Sequence, residues 1–103
     1  MTGVKLIAQE RKEQIEKHEY TIQRDKVWNK HGQLLEAAKG LLAYNVIGHK
    51  KDDEEYANFL RPEDWNKDIW INMCCNKSYK ERLIIAGALI AAELDRIINL
   101  EKV

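Results

Sequence analysis

Between residues 56 and 79 the chain sets Tyr56, Phe59, Trp65, Trp70 and Tyr79 among Arg61, Asp64, Lys67, Asp68 and Lys77, with Lys80 and Arg82 just beyond. Flat rings stack on a base, and ammonium or guanidinium groups neutralise phosphate, so this composition suits a nucleotide-like ligand. Trp65, Trp70 and Tyr79 are the candidate stacking rings. Arg11, Arg61, Lys77, Lys80 and Arg82 are the candidate phosphate contacts. The segment leads directly into the N-terminus of the last helix, where unpaired N–H groups and the helix dipole also favour an anion. A second reading uses the same residues differently: the rings roof a small core while the cations stay in water.

Catalytic and metal chemistry finds little support. A hydrolase holding magnesium against phosphates needs carboxylates one helical turn apart on two helices, as in Glu-x-x-Glu and Glu-x-x-Asp. Glu10, Glu13, Glu16 and Glu19 supply such a run on one helix, but Lys39, Ile84 and Arg96 stand three residues after Glu36, Glu81 and Glu93. The second acidic pair of a MazG-like nucleotide pyrophosphohydrolase is therefore missing from the long helices. His31 has no second His or Cys at ligand spacing, and the neighbours Cys74 and Cys75 make neither a disulfide framework nor a four-ligand zinc site. They are read as reduced thiols. No glycine-rich phosphate loop, nucleophile elbow or Cys-His pairing is present. The sequence thus proposes no catalytic residue, no metal and no cofactor.

These side chains have to be positioned by helices. Leu83, Ala86, Gly87, Ile90, Leu94 and Ile97 recur at helical spacing, while Ile85, Leu89 and Ala92 fill a second face. A helix apolar on two faces needs two partners. Leu83 through Ala92 is uncharged but far too short to span a bilayer. Ser78 and Glu81 fit a capping box before this run. Gly87 costs a helix about 1 kcal/mol against Ala, so its place among alanines implies close packing, within the subunit or across an oligomer interface.

Thr2 is placed to cap a first helix to about His18, amphipathic, with Arg11 and Gln14 on or beside its apolar stripe. Arg11 there either lies at the edge with a wet head group or points inward to a carboxylate of a ligand or partner. Trp28, His31, Leu34, Leu35, Ala38, Leu41 and Leu42 mark a second helix, weakened by Gly32 and Gly40 unless close packing compensates, with Gly48 placed to stop it. Tyr20 to Lys26 and His49 to Glu55 read as polar connections. Pro62, followed by Glu63 and Asp64, suits a short helical turn. The expected fold is all-α, one domain over residues 1–103: a compact bundle of three main helices near residues 3–18, 28–46 and 79–100, plus a helical turn after Arg61.

With 103 residues, seventeen basic and seventeen acidic, the chain has no net charge and no general drive toward nucleic acid or an anionic membrane. A domain of this size buries only about two-thirds of its unfolded surface, which favours oligomerisation. The expectation is a homo-oligomer through the C-terminal helix. Met1 leads into a charged helix rather than a signal-peptide core, so the expected location is the cytoplasm.

Three stretches carry a family resemblance: Leu6-Ile7-Ala8-Gln9-Glu10-Arg11 with Gln14-Ile15, Gly32-Gln33-Leu34 with Ala37-Ala38, and Arg82 through Arg96 with its Ala-Gly-Ala-Leu-Ile-Ala-Ala-Glu core. Together they resemble a family of small bacteriophage and prophage proteins. The middle of the chain departs from that pattern at Glu19, at Arg24-Asp25-Lys26 and at Leu41, so an acidic or histidine site of the family does not carry over there. The resemblance implies an all-helical accessory phage protein, expected in the host cell cytoplasm. By analogy with small phage proteins that sequester nucleotide signals of bacterial immunity, the leading reading is an anti-defence sponge that binds such a signal without altering it. Two others compete: a phage protein that binds and inhibits a host protein, and the hydrolase.

Overall fold

The computed structural model describes residues 1–18, 32–46 and 54–101. The described residues form five helices and no strand: α1 (Gly3–His18), α2 (Gln33–Val46), α3 (Glu54–Phe59), α4 (Lys67–Cys75) and α5 (Tyr79–Glu101). The fold is all-α. The expected connection at Tyr20–Lys26, Trp28, His31, Gly48 and residues 49–53 lie outside the described residues.

Helix starts follow local chemistry. Thr2 Oγ1 accepts from the Lys5 N–H at 3.2 Å and caps α1. At α5 the box closes both ways: the Glu81 N–H donates to Ser78 Oγ at 3.1 Å, and the Ser78 N–H donates to Glu81 Oε1 at 3.0 Å. Gly32 takes φ +82°, a left-handed value that glycine adopts without strain, and α2 begins just after it.

The middle of the chain holds more helix than its pattern suggests. Glu54 and Glu55, expected in a loop, open α3, where carboxylates suit the N-terminal end of the dipole. The helical turn expected after Arg61 is not helical. Instead the Trp65 N–H bonds Pro62 O at 3.2 Å, with Asp64 at φ +68°, a conformation that Asp tolerates better than most residues. Helix then begins at Lys67, because the Asn66 side chain accepts from the Ile69 N–H at 2.9 Å.

α5 packs against both α1 and α2, and α3 with α4 forms a smaller layer beside α2. The core draws Leu34, Ala37, Ala38, Leu41 and Tyr44 from α2, Ala57 from α3, Trp70, Cys74 and Cys75 from α4, and Ala86, Leu89 and Ala92 from α5. Small residues at the crossings let the backbones approach. A Cβ on Gly87 would stand 2.6 Å from Ile7 Cδ1, so this glycine is where α1 seats against α5 within one subunit.

Candidate functional site

Trp70 is the most deeply set of the candidate residues, with 0% of its surface exposed. Its indole N–H donates to Ala57 O at 2.6 Å, tying α4 to α3, and its six-membered ring lies over Gly40, where a Cβ would stand 2.8 Å away. Trp65 meets it edge to face, with ring centroids 5.9 Å apart. Trp70, expected as a stacking ring, lies in the core with its polar atom satisfied.

Arg82 also turns inward. Its Nη1 donates to Cys74 O at 3.2 Å and to Lys77 O at 2.5 Å, so the guanidinium caps the C-terminal end of α4, where carbonyls lack helical partners. The same group lies over the Tyr44 ring, 5.4 Å from its centroid. Tyr44 in turn stacks on Tyr56, and its hydroxyl lies 3.3 Å from Cys75 Sγ. Burial, with the neighbouring Cys75 adding to it and Arg82 opposing, pushes the Cys74 thiol up to about 12. That thiol stays protonated and unreactive at neutral pH. Arg82, expected as a phosphate contact, thus bridges α4, α5 and α2. Tyr44, its ring partner, carried no signal in the linear pattern beyond its register on α2.

Arg11 takes the inward alternative. Its Nε and Nη2 donate to Asp95 Oδ2 at 3.3 and 3.2 Å, so the carboxylate that it meets belongs to its own chain. The pair locks α1 to α5. Gln14, one turn on, is buried and donates to Glu10 Oε2 at 3.3 Å.

Arg61, Lys77, Tyr79 and Lys80 remain toward solvent. Arg61 is exposed but engaged locally, donating to Asn58 Oδ1 at 3.1 Å and to Trp65 O at 2.6 Å, where it holds the turn before α4. Lys77 Nζ lies 4.0 Å from Glu81 Oε2. Tyr79 and Lys80 are exposed on the first turn of α5. The eight candidates therefore do not form one wall: three are buried in separate helix contacts, and the outward ones are distributed over the α3–α4 turn and the start of α5. Among the described residues, no three His, Cys, Asp or Glu side chains come together as a metal site, and no helix is long and apolar enough to cross a membrane.

No family model, curated protein or solved structure matches the chain. The site has to be read from its own geometry. The feature that stands out is the outer face of α5. Every exposed residue on that helix between 82 and 100 is apolar: Leu83, Ile90, Leu94, Ile97, Ile98 and Leu100. Leu94 is 54% exposed, and Val4 and Ile15 on the neighbouring α1 are exposed as well. Of the two apolar faces in the sequence, Leu89 and Ala92 pack inward together with Ala86, whereas Leu83, Ile90, Leu94 and Ile97 of the other are left partly to solvent.

Proposed function

We propose that the protein acts without catalysis, by binding another polypeptide through the outer face of α5. The observation that carries this reading is the aliphatic strip from Leu83 to Leu100. At about 1.5 Å per residue it runs for roughly 26 Å, and contiguous apolar surface on that scale marks protein interaction sites. The competing nucleotide reading loses Trp70, Arg82 and Arg11 to internal contacts, and an aliphatic strip offers a base neither stacking nor charge. In the phage setting that the sequence resemblance implies, the chain is an accessory protein that acts by contact and not by catalysis.

The test is a photo-crosslinking amino acid at Leu94, installed in the producing cell. A polypeptide adduct at Leu94, absent when the same group is placed at exposed Glu63, is the expected result. Calorimetry with a panel of cyclic nucleotides and ADP-ribose derivatives runs beside it. A ligand that binds the wild type, is lost in Lys80→Ala and is untouched by Leu94→Asp would overturn the proposal in favour of nucleotide capture.

A further inference from the structure

Resting on the reading of α5 as a polypeptide-binding face, we infer that the polypeptide is a second copy of this chain, docked antiparallel, α5 against α5. Leu83, Ile90 and Ile97 recur every seven residues, with Leu94 between the last two, and form an apolar seam. Where Gly87 interrupts it, Ile7 from α1 lies over the glycine and keeps the surface apolar.

Charge decides the occupant and its direction. The seam positions from Leu83 to Ile97 carry no charged side chain, the half-exposed Asp95 beside them is paired with Arg11 of its own chain, and Lys80 is exposed at the N-terminal end and Glu101 at the C-terminal end. Each sits at the end of α5 where the helix dipole disfavours it, since the N-terminal end prefers anions and the C-terminal end cations. Neither is placed there for the sake of its own helix. Rotated by a two-fold axis, the same face is its own complement: apolar middle on apolar middle, the Lys80 end of one copy beside the Glu101 end of the other. The two helix dipoles then oppose favourably too. A parallel pair would set Lys80 against Lys80 and Glu101 against Glu101 and align the dipoles. A strip self-complementary in both hydropathy and charge needs no foreign partner.

Sedimentation equilibrium of the purified full chain tests this, with circular dichroism to confirm folding of every variant. The wild type should give a dimer, and Leu94→Asp, at an exposed position, a folded monomer. Lys80→Glu or Glu101→Lys alone should raise the dimer Kd about tenfold, because each places like charges together at two symmetric sites. The double reversal Lys80→Glu with Glu101→Lys should return the Kd to near the wild-type value. In a parallel dimer each single reversal merely exchanges one like pair for another, so unchanged single variants, or a double variant no better than its parents, would overturn the antiparallel assignment. A wild type that stays monomeric overturns the self-association outright. A crosslink from Leu94 to a different polypeptide would then leave the wider reading of α5 standing.

Discussion

Two regions of this molecule carry side chains that recognition commonly uses, and they use them in opposite ways. Around Trp70, the ring, the guanidinium of Arg82 and the hydroxyl of Tyr44 all meet partners inside the chain: Ala57 O, the carbonyls of Cys74 and Lys77, and Cys75 Sγ. On the outer face of α5, residues whose chemistry is bland are left about half exposed to water. An indole or guanidinium is available to a ligand only when the fold has not already engaged it. A leucine becomes informative when the fold leaves it uncovered in company.

The sharpest way to separate the two regions is truncation. Trp70→Ala removes a fully buried ring and the Ala57 hydrogen bond, and should cost about 3–5 kcal/mol, a large part of the roughly 5–15 kcal/mol that holds a small domain folded. At concentrations below the dimer Kd, Leu94→Ala should lower the unfolding free energy by less than about 1 kcal/mol. Equal losses in chemical denaturation would collapse the distinction between core and surface.

The two close-packed glycines repeat the contrast on a smaller scale. At Gly40 a new methyl would meet Trp70 Cζ2 at 2.8 Å and the backbone oxygen of Leu60 at 3.1 Å, neither of which can yield. Overpacking of this kind costs about 1–3 kcal/mol, more than the gain of about 1 kcal/mol in helix propensity, so Gly40→Ala should lower the melting temperature. At Gly87 the obstacle is Ile7 Cδ1, the far end of a side chain that can rotate away, and the propensity gain should roughly cancel the cost. A melting temperature that falls as far for Gly87→Ala as for Gly40→Ala would show that the α1–α5 contact is as rigid as the Trp70 layer.

The smallest effect belongs to the α5 cap. Hydrogen bonding to the Ser78 N–H, then to its side chain, holds the Glu81 carboxyl below its ordinary range. A depressed carboxyl adds stability above its unfolded pKa and loses it as pH falls through the folded one. The difference in melting temperature between wild type and Glu81→Gln should therefore shrink on acidification from neutral pH to below the carboxylate range. A difference that holds constant across that range would mean that ionisation of Glu81 adds nothing to the cap.

The helices themselves were written locally. Thr2, Ser78 with Glu81 and the periodic residues of α1 and α5 place both helices almost to the residue, because capping and amphipathic spacing act within one or two turns of chain. The apolar breadth of α5 was legible for the same reason, but which of its two faces would be left to solvent was not, because that depends on where α1 and α2 come to lie. The middle was less so: α3 is too short for a period to register, and α4 depends on a single asparagine cap. What only the tertiary structure decided was the direction of the polar and aromatic side chains. Whether Arg11 reaches a ligand or Asp95, whether Arg82 faces water or the end of α4, and whether Trp70 stacks on a base or on Gly40 depend on residues distant along the chain. Burial, unlike helix formation, is a property of neighbours that the chain acquires only by folding.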